Sequence, residues 1–312
     1  MLIDPPAWPA HGTLWSHLVS DTSLHELRTF ARAAGLPDRG LDLDHYDVPA
    51  GRHEDLVAAG ATPVDGGTLA RRLASSGLRV PGRERRGATR AALTARWATL
   101  RAPADAAWGH IGAELVERWS EPHRVYHGRL HLAASLDALD ALLAERTDAP
   151  SSARVARLAL WFHDAVHDGE AGRDEERSAA LARELLTPLT APGATASGTT
   201  AARLTCDDVA EVERLVLLTA THDPAPGDVL GALVSDADLA VLGDSPARYA
   251  RYVHQVRAEY GHVPDDAFRT GRGAVLEALL ALPTLFRTPT ARARWAAPAA
   301  ANLASELSRL TR

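Results

Sequence analysis

The stretch Leu158-Ala159-Leu160-Trp161-Phe162-His163-Asp164-Ala165-Val166-His167 decides how the second half of this chain is read. An apolar run stops at an imidazole and a carboxylate, and a further imidazole follows four residues after the first. Trp161 and Phe162 read as core. A buried His-Asp pair is costly unless something compensates both groups, and a divalent metal ion would do so. The pattern predicts a helix over 151–167.

Upstream stands Tyr126-His127-x-x-x-His131, and downstream stand His222-Asp223 and Asp236-Ala237-Asp238. His127 and His131 are four apart, so on a helix predicted over 125–146 they share a face. Leu132, Leu136, Leu139, Leu142 and Leu143 supply that helix with its apolar stripe. Imidazole nitrogen and carboxylate oxygen without sulfur suit octahedral divalent ions that keep water positions open. Blander readings stand beside this one. Asp236 and Asp238 also suit a helix cap and first turn, and His222-Asp223-Pro224 also suits a helix stop with a turn. His254 and His262 read as structural or exposed.

Composition bounds the rest. The chain has 312 residues, enough for about two domains. Hydrophobic residues make up 46% and charged residues 24%, the balance of a globular protein. The formal charge is −6, and every basic side chain other than histidine is Arg. A nucleic-acid partner held on a basic face is therefore not expected. The single cysteine, Cys206, excludes an internal disulfide and a thiolate zinc cluster. The first residues, Met1-Leu2-Ile3-Asp4-Pro5-Pro6, lack the basic and apolar regions of a signal peptide. No apolar run reaches membrane-span length, so no membrane partner and a cytoplasmic location are expected.

The predicted fold class is α+β: a small N-terminal α/β domain over 1–79, a linker over 80–103, and an all-α domain over 104–312. The first helix is expected near 21–34, capped by Ser20 or Asp21 and closed by Gly35 and Pro37. Val80 to Arg90 (VPGRERRGATR) reads as solvated linker. Thr187 to Thr205 is low in complexity and reads as a surface loop. No internal repeat is visible.

The ordered motifs of the helical half resemble the HD-domain superfamily of metal-dependent phosphohydrolases. They are closest to a bacterial group with Ser120-Glu121-Pro122-His123-Arg124-Val125-Tyr126-His127, Trp161-Phe162-His163-Asp164, Glu175-Glu176-Arg177-Ser178, Asp236-Ala237-Asp238-Leu239 and Tyr260-x-His262-Val263-Pro264. The resemblance covers residues 104–312 and implies an HD-type helical fold. It implies His131, His163, Asp164 and Asp238 as metal ligands, with Asp236 as competitor for the last place. The metal would be Mn, Mg, Co, Ni, Zn or Fe. By the same comparison His127 would be a general acid, Glu176 would orient the water, and His222 and His167 would line the pocket or hold a second metal. Arg124, Arg129, Arg173 and Arg177 are candidates for binding phosphate. The implied activity is hydrolysis of a phosphate ester or anhydride of a nucleotide or other small molecule. Two other classes stand against it: a non-catalytic nucleotide-binding sensor, and an HD-fold di-iron oxygenase that enlists His167 and His222.

Residues 1–79 resemble a bacterial family described only as a domain of unknown function, through Asp4-Pro5-Pro6-x-Trp8-Pro9-x-His11-Gly12, Trp15 to Asp21, and Asp44-His45-Tyr46-Asp47-Val48-Pro49. The polar side chains Asp4, His11, His17, Asp21, His25, Asp44, His45, Tyr46 and Asp47 are dense for so small a unit. They read either as turn, cap and docking chemistry or as a small ligand or second metal site. No glycine-rich phosphate loop is present here.

Overall fold

The computed structural model describes residues 1–37, 40–100, 106–146, 150–170, 172–190 and 204–311. The chain divides into two compact units: Met1–Arg85 with Ala250–Pro264, and Arg86–Tyr249 with Asp265–Arg312. A small sheet belongs to the first unit and a helical assembly to the second, so the protein is α+β.

In the first unit, β1 (Leu2–Ile3), β2 (Trp8–Ala10), β3 (Thr13–Val19), β4 (Leu41–Asp42), β5 (His45–Pro49) and β6 (Thr62–Pro63) form one sheet. Its order is β4-β5-β3-β1-β6, with β2 hairpinned onto β3. β1 pairs with β6 in parallel and the other pairs are antiparallel. Ser16, Leu18, Tyr46 and Val48 are buried, while His17, His45 and Asp47 are less so. This period-2 alternation gives the sheet a core face and a polar face. Helices α1 (Leu24–Ala33), α2 (His53–Ala58) and α3 (Gly66–Ser75) contribute Leu27, Leu56 and Leu69 to the core. The N-cap of α1 is Ser23, which accepts from Glu26 N–H. Ser20, expected there, instead accepts from the N–H groups of Thr22 and Ser23 in the preceding turn.

The stretch Val80 to Arg90, expected as solvated linker, carries the short helix α4 (Gly82–Gly87), and α5 (Arg90–Ala98) follows where the pattern turns helical. Val80 is buried and its N–H donates to the buried Asp44 carboxylate. Trp97 of α5 is also buried. It stacks on Trp108 of α6 (Ala106–Arg118), with ring centroids 4.3 Å apart. Each of these indole N–H groups donates to the other residue's carbonyl. Residues 101–105 lie outside the described residues, as do 191–203 of the stretch expected as a surface loop.

The second unit continues with α7 (Arg129–Leu143), α8 (Pro150–Phe162), α9 (Arg173–Leu186), α10 (Cys206–Leu218) and α11 (Val229–Asp238). α12 (Pro246–Glu259) starts in it, and α13 (Asp265–Ala281) and α14 (Pro289–Leu310) complete it. Leu132, Leu136, Leu139, Leu158, Trp161, Leu215 and Leu233 fill its core.

α14 docks on the segment that follows α11. Its Asn302 donates to the carbonyls of Leu242 and Asp244. A Cβ on Gly243 would lie 2.7 Å from the backbone of Trp295, so only glycine permits this approach. Gly243→Ala is expected to destabilise the second unit by about 1–3 kcal/mol through overpacking, lowering the melting temperature in a calorimetric scan by several degrees.

Candidate metal centre

Three separate segments converge in the second unit. His131 comes from the first turn of α7, His163 and Asp164 from the turn after α8, and Asp238 from the last residue of α11. His131 Nε2 and His163 Nε2 are 3.0 Å apart. Asp238 Oδ1 lies 3.0 Å from the first and 3.3 Å from the second. Asp164 Oδ2 lies 3.0 Å from His163 Nε2 and 3.7 Å from His131 Nε2. Donors at right angles around a cation with bonds of about 2.0–2.2 Å are about 3 Å apart, and this set has that spacing.

The imidazoles are aimed from behind. His163 Nδ1–H donates to the Leu160 carbonyl at 2.8 Å, which leaves Nε2 as the inward lone pair. Ser135 Oγ stands 3.5 Å from His131 Nδ1. The Trp119 ring packs 5.3 Å from the His163 ring and 6.1 Å from that of His131, fixed by its N–H bond to the Trp161 carbonyl.

The histidines and carboxylates of the cluster shift one another's charge. Burial pushes the His131 imidazole down, and Asp238 only partly opposes this. Burial acts on His163 too, but the adjacent Asp164 and Asp238 carboxylates override it and hold that imidazole well above its usual range. Burial likewise disfavours ionised Asp164 and Asp238, yet the His163 charge wins and both stay below the usual carboxylate range.

The surrounding candidates divide into near and far. His222 Nε2 lies 3.5 Å from Asp238 Oδ2, and burial holds this imidazole below its usual range. Its φ is +51°, uncommon for a residue with a Cβ and a form of strain that clusters at functional sites. The His127 ring is 5.7 Å from that of His131 and 4.0 Å from that of His167. His127 is not on the helix, however. Gly128, in extended conformation, caps α7, so His127 belongs to the preceding turn. His163 and Asp164 are likewise beyond their helix: Ala165 N–H turns back to the Phe162 carbonyl and Val166 N–H goes to Ser178 Oγ, while Arg124 takes the carbonyls of Asp164 and Ala165.

The choice between Asp236 and Asp238 is geometric. Residues two apart on a helix point to different sides. Asp236 turns away and accepts from the N–H groups of Arg287 and Thr288, 2.7 Å each, just ahead of α14. Glu176 is exposed on α9, and among the described residues no hydrogen bond or ion pair joins it to the cluster. The phase of α9 turns Asp174 and Ser178 inward instead. Asp174 accepts from three successive N–H groups, those of Asp168, Gly169 and Glu170. Ser178 bonds both the N–H and the carbonyl of Val166.

The arginines expected at phosphate have other partners. Arg124 is buried, donates to the His127, Asp164 and Ala165 carbonyls and pairs with Glu121. Arg129 donates to the Ala88 carbonyl. Arg173 pairs with Glu170, and Arg177 with Asp168. Trp119, Ser135 and Asp174 were not legible as supports for the site, and Ser178 was visible only as a member of the Glu175-Glu176-Arg177-Ser178 motif.

Residues 1–76 match the family described as "Protein of unknown function (DUF4031)". No curated protein and no solved structure matches the chain. The family match falls within the first unit, so the reading of the helical unit rests on its own residues.

Arg124 bolts the turn bearing His127 to the turn bearing Asp164. Arg124→Met removes charge-assisted bonds worth about 1.5–3 kcal/mol each. The expected outcome is a loss of several kcal/mol of stability in denaturant melts, with Arg124→Lys recovering only part of it.

Proposed function

We propose that the helical unit is a metal-dependent phosphohydrolase that cleaves a phosphate ester or anhydride of a nucleotide or other small molecule. The observation that carries this reading is the convergence of His131, His163, Asp164 and Asp238 from three segments at ligand spacing. Their mixed nitrogen and oxygen donors fit a divalent ion of the Mn, Mg, Co, Ni, Zn or Fe class. Such an ion, when bound, lowers the pKa of water and polarises a phosphoryl oxygen.

The chain's own residues do the rest. His127, half-buried beside His131 and stacked near His167, is placed to give a proton to the leaving oxygen. An imidazole suits that task because its ordinary pKa is near neutrality. His222, beside Asp238, lines the same site. Trp119 shields the rear of His131 and His163. Glu176 has no part in this scheme, since it is exposed on α9.

His222 also favours a second reading, since a di-iron oxygenase would enlist it with His167. Iron-dependent oxygen consumption without phosphate release would support that chemistry. A nucleotide-binding sensor would show thermal stabilisation by nucleotide without turnover.

The test is phosphate release from nucleotides and small phosphate esters with each metal in turn. Asp164→Ala and Asp238→Ala are expected to lower the rate by more than about a hundredfold, since even the groups that support metal ligands are worth 10–100-fold. His127→Ala is expected to lower kcat by about 10²–10⁴ with metal content unchanged. Activity that survives Asp164→Ala, or none from folded, metal-loaded protein, would overturn the proposal.

A further inference from the structure

The polar face of the small sheet carries a second histidine–carboxylate cluster. In the β3–β5 register His17 is directly opposite Asp47. His45 is two residues before Asp47 on β5, so all three project from one face. The His17 and His45 rings are 5.0 Å apart. Asp47 Oδ1 lies 3.2 Å from His45 Nε2 and 3.9 Å from His17 Nε2. One donor atom from each of the three residues falls within 4.8 Å of the others.

What sets this cluster apart from an ordinary surface ion pair is the arrangement behind it. His17 Nδ1 meets Asp4 Oδ2 at 3.0 Å. His45 Nδ1 meets Asp44 Oδ1 at 2.8 Å. Both carboxylates are buried. Each has further donors to hold it: Asp4 accepts from His17 N–H and the Trp8 indole, and Asp44 from Val80 N–H and Arg85. With Nδ1 turned to a fixed carboxylate in each ring, Nε2 is the nitrogen that both imidazoles direct toward Asp47. This is the carboxylate–histidine support that metal-binding histidines have, and it raises their basicity.

The charge balance agrees. Asp4, Asp42, Asp44 and Asp47 surround the imidazoles, and the one guanidinium among them is Arg85. That guanidinium pairs with Asp42 and Asp44 and lies 3.1 Å from His45 Nδ1, on the side away from Asp47's contact with Nε2. Asp47 is half exposed, so a two-histidine, one-carboxylate set here leaves coordination positions open to solvent or to a small ligand. Trp8, 55% exposed with its ring 5.4 Å from that of His17, stands beside the opening.

We propose that His17, His45 and Asp47 bind a divalent first-row metal ion in the N-terminal unit, with Asp4 and Asp44 orienting the two imidazoles. This site is independent of the helical unit's chemistry.

The test is Co²⁺ titration of the full-length protein, read by visible absorption and by bound-metal stoichiometry. Asp47→Asn is the primary variant, because its half-exposed side chain can change without disturbing the core. His45→Gln and His17→Gln accompany it, each checked by circular dichroism. Asp164→Ala serves as the variant of the other cluster. Asp47→Asn and the His variants are expected to lose one equivalent of Co²⁺ that Asp164→Ala keeps. Asp4→Asn is expected to weaken that equivalent about 10–100-fold. Equal stoichiometry and spectra in wild type and Asp47→Asn would overturn the proposal, whether or not Asp47→Asn is less stable. The two clusters lose their equivalents through different variants, so failure here leaves the phosphohydrolase reading to its own assay.

Discussion

Asp164 and Asp238 are carboxylates enclosed among His131, His163 and a tryptophan. Taking such groups out of water costs several kcal/mol each unless positive charge meets them. Much of the helical unit answers to that constraint. Against the pull of burial, the Asp164 and Asp238 carboxylates hold the His163 imidazole well above its usual range. Arg124 spans two turns, Asp174 gathers three N–H groups of the next loop, and Ser178 ties Val166. Loops are a poor place for accurate geometry unless they are tied in this way, and here nearly every tie ends on backbone.

The two aspartates of Asp236-Ala237-Asp238 show how one short motif serves two ends. Helix geometry sends them to different sides. One reaches the cluster, while the other accepts from the N–H groups ahead of α14 and helps seat that helix. Burial pushes the Asp236 carboxyl up, against the two backbone bonds that favour its charge. The segment that supplies the last candidate ligand is thereby built into the core of the unit. Replacing either aspartate would disturb the centre, but by different routes: one through the donor set and the other through the packing that positions it.

The α+β class was legible from the change of pattern along the chain, whereas the grouping of His131, His163, Asp164 and Asp238 was implied by the ordered motifs of the resemblance and not by periodicity. The exact seating was less so. Periodicity extended α7 and α8 over His127 and His163, since it does not register the extended cap at Gly128 or the distant Ser178 hydroxyl that takes the Val166 N–H. Arg124 and Glu176 were misplaced for a related reason. Sequence shows that an Arg or Glu is near a motif, but whether it faces the site depends on helix phase and on carbonyls far along the chain. Association of Ala250–Pro264 with the first unit, through Arg251 and the Arg79 carbonyl, has no local signal either. The apolar stretch around Val80 was hidden by the arginines next to it.

The two histidine clusters differ in how their imidazoles are held, and the difference has chemical consequences. In the helical unit His163 Nδ1–H donates to a neutral carbonyl, and charge comes from carboxylates in the cluster itself. In the sheet unit both Nδ1 atoms meet buried carboxylates, and a single half-exposed carboxylate stands in front. A carboxylate behind an imidazole makes it a stronger electron donor to whatever binds Nε2. A carboxylate in front neutralises the bound cation directly. Under the proposed function, the enclosed arrangement, with its two anionic donors, would suit a hard cation. The open arrangement, with two basic imidazoles and one oxygen, favours ions higher in the Irving–Williams order and leaves more of the coordination sphere to an incoming ligand. The contrast follows from β-sheet register in one unit and from helix ends in the other. A sheet face offers neighbours at fixed spacing but little cover, whereas helix ends can be buried from every side.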